Sequence, residues 1–171
     1  PPGAFLQATK SGEAALVEAV TEALTGARRV ADLFAGCGTF TFPLARRADV
    51  TAVESDVPAL SALDAAWRKA TDLHQIRAEK RDLFRRPLMP DELRHFDGVV
   101  IDPPRAGCEA QAIELAASEG PVIAAVSCNP VTFARDAAIL VKGGYRLAWV
   151  QVVDQFRWSA HIELVAAFRR I

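Results

Sequence analysis

The residues that could do chemistry in this 171-residue chain lie at the ends of short apolar runs. Cys128 follows the run from Pro121 to Val126, and Asn129-Pro130 then opens a helical stretch. Asn is a favoured helix N-cap and Pro a favoured first helical residue. The thiol is therefore expected at the carboxyl end of a buried strand, just outside a helix N-terminus. The partial positive charge there favours a thiolate, and so a nucleophile; the alternative is a small buried hydrophobe. Glu163 interrupts the apolar run 161–168. A charge inside such a run is costly unless it is paired or lies at an exposed end. It is either a general base or an edge carboxylate. Asp102-Pro103-Pro104-Arg105 ends another apolar run. Two prolines make a stiff, extended rail that fixes a carboxylate in place.

The elements that must position these groups alternate along the chain. Runs 29–35, 50–54, 75–80, 96–102, 121–126, 145–153 and 160–168 read as strands. Segments 11–27 (with Ser11 as cap), 39–47, 56–70, 109–119 and the stretch from Asn129 to Gly143-Gly144 read as helices. Residues 85–93 read as a loop with one helical turn, and residues 3–10 as a lead-in across the surface. Alternation of strand and helix predicts a doubly wound, mostly parallel α/β sheet with helices on both faces. The last two strands have only residues 154–159 between them and are expected to form an antiparallel hairpin. The final strand would then begin at the edge where the parallel strands end. That brings His161 and Glu163, on one face by the period of two, to the edge that carries Cys128 and Asp102.

Ligands of open α/β sheets bind beyond the carboxyl ends of the strands. The first strand ends in Asp32-Leu33-Phe34-Ala35-Gly36-Cys37-Gly38-Thr39, where Gly36 and Gly38 allow a tight turn. Thr41 takes the place of the third glycine of a dinucleotide fingerprint. Glu54 ends the second strand, where a ribose diol would be hydrogen-bonded, and Asp82 follows the third, where an adenine amino group would lie. Each alone reads as a surface carboxylate. Together they point to an adenosine ligand, and the turn suits S-adenosyl-L-methionine better than a nicotinamide dinucleotide.

Length predicts one domain over 1–171, and the absence of an initiator Met suggests part of a longer chain. No run is long enough to span a membrane and no signal peptide pattern opens the chain. Cys37, Cys108 and Cys128 are widely spaced and odd in number, which suits a reducing cytoplasm rather than disulfides or a metal site. A net charge of -1 gives no general basic footprint. Arg77, Arg81, Arg85 and Arg86 cluster locally and read as a solvated face.

A thiol, a carboxylate base and a methyl donor at one edge suggest pyrimidine C5 methylation. Thiolate addition at C6 makes C5 nucleophilic, and a base then removes the C5 proton so that the thiol can leave. The residues resemble the catalytic domain of the RNA 5-methyluridine methyltransferases, which act on tRNA and 23S rRNA. The blocks in common are Phe5-Leu6-Gln7, Asp32 to Thr41, Asp102-Pro103-Pro104-Arg105-Ala106-Gly107, Ser127-Cys128-Asn129-Pro130, Asp154-Gln155-Phe156 and His161-Ile162-Glu163. The resemblance implies a class I S-adenosylmethionine-dependent methyltransferase fold, Cys128 as nucleophile and Glu163 as base. It implies cofactor contacts from Gln7, Phe34, Thr39, Glu54, Asp82 and Asp102, beside Gly36 and Gly38. Pro103, Arg105, Asn129, Arg157 and His161 are the expected substrate-facing residues. The expected partner is a structured rRNA or tRNA with a flipped uridine, bound by a monomer without a metal. Thr9 stands where the family often has Asn, and Arg157 where it often has Pro. These residues are expected to be a fragment without the N-terminal RNA-binding module that the resemblance implies for the longer chain. Two alternatives stay open: an exocyclic-amine methyltransferase, or a catalytically inactive cofactor-binding module.

Overall fold

The structure, a computed structural model, describes residues 9–155 and 162–170. The elements are α1 (Lys10–Ala23), β1 (Arg29–Leu33), α2 (Thr41–Ala45), β2 (Asp49–Glu54), α3 (Val57–Trp67), β3 (Ile76–Lys80) and α4 (Pro90–Leu93). They continue with β4 (Gly98–Ile101), α5 (Glu109–Ala117), β5 (Val122–Ser127), α6 (Pro130–Lys142), β6 (Tyr145–Val153) and β7 (Glu163–Arg170). Seven strands form one sheet in the order β3-β2-β1-β4-β5-β7-β6. The first five are parallel, and β7 runs antiparallel to both β5 and β6.

The layers follow from strand alternation. Val30, Val50, Val100 and Val126 face Leu16, Val20, Leu44 and Leu63 of α1, α2 and α3. Ala31, Val99, Ile123 and Phe168 face Leu93, Leu115 and Leu140 of α4, α5 and α6. Consecutive strand residues thus enter opposite cores, as a sheet buried on both faces requires.

Several boundaries differ from the sequence reading, each for a local reason. Thr9 rather than Ser11 caps α1, its Oγ accepting from the Gly12 N–H at 3.0 Å. β1 stops at Leu33 because Phe34 turns to φ 64°, a left-handed conformation outside any strand. The helix expected over 39–47 shrinks to α2, since Gly38 at φ 98° keeps the preceding turn non-helical. β4 stops at Ile101: Asp102 still donates to the Leu33 carbonyl at 3.2 Å, but Pro103 has no N–H to continue the ladder. The last strand starts at Glu163, so this carboxylate opens the strand instead of interrupting it. Residues 160 and 161, assigned to the same strand, lie outside the described residues. Asp56 and Asn129 cap α3 and α6 as expected, at 3.3 and 3.1 Å from the N–H groups of Ala59 and Val131.

Candidate active site

Five parallel strands end at one edge of the sheet, and β7 starts there. Register fixes what meets. Ser127 pairs with Leu164 across β5 and β7, so one further step sets Cys128 level with Glu163. Cys128 is half-buried and directly precedes the Asn129 cap. Its thiol is not favoured as the thiolate in the way a helix N-terminus alone would suggest. Burial raises its pKa first, the Glu163 charge raises it further, and the Arg105 guanidinium pulls it back. Desolvation and a facing carboxylate outweigh the helix dipole. Glu163 is 6% exposed, and burial raises its pKa against the pull of the same Arg105. Arg105 is therefore the counter-charge to both Cys128 and Glu163, and its own side chain is exposed. Pro103, also expected to face a substrate, is buried against the α5–α6 side of the sheet.

The neighbouring strand ends add acid. Asp102 follows β4, and its pKa is raised to about 7 by burial, then by Glu163 and Asp32. Asp32 is fully buried on β1 and likewise raised to about 7, chiefly by burial. Its Oδ2 accepts from the Thr41 hydroxyl at 2.5 Å, while its Oδ1 is buried with no hydrogen-bond partner among the described residues. Asp32, Asp102 and Glu163 thus form an acidic row beside Cys128.

The glycine turn is braced by Glu54. Its Oε1 accepts from the Ser55 and Asp56 N–H groups at 2.6 and 2.8 Å, and its Oε2 from the Gly36 N–H at 2.9 Å. Oε2 keeps a lone pair for a further donor. A side chain at Gly38 would meet the Phe42 ring at 2.8 Å, so this position has neither space nor an ordinary φ for one. Thr39 lies partly exposed on the turn. Asp82 Oδ1 accepts from the Phe84 and Arg85 N–H groups at 3.0 and 3.4 Å, folding an Asx turn that sets the half-exposed Phe84 ring 5.4 Å from Phe34. Gln155 is buried and its Oε1 accepts from Thr9 N at 3.3 Å, tying the start of α1 to the end of β6. Gln7, Arg157 and His161, also expected at the site, lie outside the described residues.

The glycine turn, proline rail and cysteine thus end β1, β4 and β5 on one edge. The model of the tRNA (uracil-5-)-methyltransferase family matches residues 2–170. The chain belongs to this family. It is 57% identical over 166 residues to an uncharacterized RNA methyltransferase of Mesorhizobium japonicum, covering 97% of this chain and 40% of that protein. It is 41% identical to the 23S rRNA (uracil(1939)-C(5))-methyltransferase RlmD of Chromohalobacter salexigens, covering 99% of this chain and 35% of that protein. The crystal structure of the Pyrococcus abyssi tRNA (uracil-54, C5)-methyltransferase in complex with S-adenosyl-L-homocysteine superposes with a TM-score of 0.84 at 31% identity. That match covers 98% of this chain and 41% of the other. The fold is that of the class I methyltransferases. The chain spans about 40% of the length of the first curated relatives it matches.

Sequence reasoning for this family member missed Asp32, Thr41 and Phe84. Asp32 carried a signal: it is a charge inside an apolar strand, the same argument that singled out Glu163. Thr41 was noted only for the glycine it replaces. Among the described residues no group of His, Cys, Asp or Glu could hold a metal ion, and no helix is long and apolar enough to cross a membrane.

Proposed function

We propose that this chain is the catalytic domain of an enzyme that transfers a methyl group from S-adenosyl-L-methionine to C5 of a uridine in RNA, through a covalent bond between Cys128 and C6. The observation that carries the reading is the juxtaposition of Cys128 and Glu163 across β5 and β7, with the Arg105 charge acting on both. Residues 1–171 are taken as one domain of a monomer whose remaining length supplies RNA binding, in the cytoplasm where rRNA and tRNA are modified.

The acidic row fits a ligand that carries a sulfonium and an ammonium. The orphaned Asp32 Oδ1 offers a buried acceptor, and two carboxyls held near 7 would ionise fully beside a cation. Asp32, Asp102, Glu54, Asp82 and the turn at Gly36 and Gly38 would hold it, with Phe34 and Thr39 beside them and Gln7 from the lead-in. When bound, it supplies an electrophilic methyl group to the nucleophilic C5. Cys128 adds as thiolate to C6, which places electron density on C5. Glu163 accepts the C5 proton after methylation, the C6–S bond breaks, and the thiolate is regenerated. A carboxylate raised by burial suits that proton transfer. Arg105 and Asn129 face the base, with Arg157 and His161 assigned the same role, while Pro103 stays in the rail behind them. The target uridine must leave its stack to reach a half-buried thiol.

The test is covalent capture. The full-length protein is incubated with S-adenosyl-L-methionine and tRNA or 23S rRNA transcripts containing 5-fluorouridine, then denatured. A denaturation-resistant protein–RNA complex that Cys128→Ala abolishes is the expected result. Methylation of C5 by the alanine variant would overturn the nucleophile.

A further inference from the structure

Arg105 acts on both reacting groups but projects from an exposed loop, so something must hold that loop. Pro103 and Pro104 lack N–H groups, and residues 105–108 lie beyond the β4 ladder. The Gly107 N–H turns back to the Pro104 carbonyl at 2.8 Å, and the other partners come from α6 and its cap. Asn129 Nδ2 and Thr132 Oγ1 both donate to the Arg105 carbonyl, at 2.9 and 3.1 Å. Arg135 Nη2 donates to the Ala106 carbonyl at 3.0 Å. The Cys108 N–H donates to Asp136 Oδ2 at 2.7 Å. Asp136 is 6% exposed, and Arg135 pairs with it at 2.7 Å and with Glu109 at 3.4 Å. Gly107 turns beneath this ridge at φ 75°, and a side chain there would stand 2.5 Å from Asp136 Oδ2.

We infer that Thr132, Arg135 and Asp136 are positioning residues, which lock the Arg105 loop onto the helix whose first turn follows the nucleophile. Thr132, Arg135 and Asp136 lie three, six and seven residues after the Asn129 cap, which puts them on one flank of α6. The helix thus carries Cys128 just before its cap and grips the cation with its side. One rigid element sets the distance between thiol and guanidinium. Loosening the ridge lets Arg105 drift toward solvent, where its field at Cys128 is screened. The inference deepens the proposed reaction and rests on Cys128 as the reacting group.

Its test reads the thiol and needs no RNA or cofactor, so it can succeed or fail apart from the proposed activity. In the full-length protein, alkylation of Cys128 by iodoacetamide is followed against pH by peptide mass spectrometry. Circular dichroism melts confirm that each variant is folded. Thr132→Val is expected to slow alkylation at neutral pH by roughly three- to ten-fold, as Arg105→Ala does, while Thr132→Ser keeps the wild-type rate. In the Arg105→Ala background, Thr132→Val should change nothing more. An equal slowing by Thr132→Val with and without Arg105 would show that the ridge acts by another route, and a wild-type rate in Thr132→Val would show that it does not act on the thiol at all. Either result overturns the assignment. Asp136→Asn, which keeps an acceptor for Cys108 N–H but weakens the hold on Arg135, gives a second reading of the same quantity.

Discussion

Glu163 stands one register step beyond Leu164, the partner of Ser127, and so lies level with Cys128 where β5 ends and β7 begins. Residues 35 positions apart in sequence meet because β7 inserts between β5 and β6 and runs against both. Burial raises the cost of ionising both groups, the Glu163 charge adds to that cost at Cys128, and Arg105 offsets it for both.

Removing each partner should stop the reaction at a different stage. Cys128→Ala is expected to bring both turnover and capture of 5-fluorouridine RNA to background. Glu163→Gln should still form a bond to the base but release it slowly, lowering turnover by about 10²–10⁴-fold. Single-turnover assays on unmodified RNA, with gel detection of the protein–RNA complex, separate the two.

The rate of adduct formation should rise with pH into the alkaline range. The thiol's pKa lies above that of a free cysteine, so its thiolate fraction is small at neutral pH and grows as pH rises. Arg105→Ala removes the cation that lowers this pKa, and should move the rise to still higher pH. A profile for Arg105→Ala displaced to lower pH would contradict the counter-charge role.

Asp32 links stability to pH. Its pKa is raised from 3.8 to about 7 on folding. The folded state therefore binds the proton more tightly, and the stability this contributes is complete below pH 3.8 and lost as pH rises through about 7. Asp32→Asn keeps an acceptor for the Thr41 hydroxyl and has no charge to desolvate. Relative to wild type, its melting temperature should improve between pH 5.5 and 8, by a few degrees for about 1–2 kcal/mol. Thermal melts of the ligand-free protein at the two pH values check this.

Binding of S-adenosyl-L-methionine near pH 6.5 should release protons. A cation beside Asp32 and Asp102 lowers both pKa values from about 7, so carboxyls partly protonated before binding ionise on binding. Calorimetry in buffers of different ionisation enthalpy measures the release, which should vanish at pH 9. Asp32→Asn should reduce it and weaken binding.

The two glycines of the turn should not tolerate alanine equally. At Gly38 the added methyl meets the Phe42 ring at 2.8 Å and the φ is 98°, whereas at Gly36 the space is open and the φ is 54°. Gly38→Ala is expected to lower stability by about 1–3 kcal/mol more than Gly36→Ala. Urea unfolding of the two variants decides it.

The elements and their punctuation were legible in the order of residues. The alternation of apolar runs with capped helices, Asp56 and Asn129 as caps, and the short link before the last strand were enough for a parallel sheet with a reversed final strand, because caps and periodicity are local. The reversal alone brought Glu163 to the edge of Cys128. The electrostatics came from packing. A helix N-terminus beside Cys128 suggested an acidic thiol, but burial and Glu163 raise its pKa, and both are set by packing between segments far apart in the chain. The same holds for Thr41 meeting Asp32 and for the grip of α6 on the Arg105 loop. Desolvation and charge depend on what surrounds a side chain in three dimensions, and no spacing along a single chain encodes that.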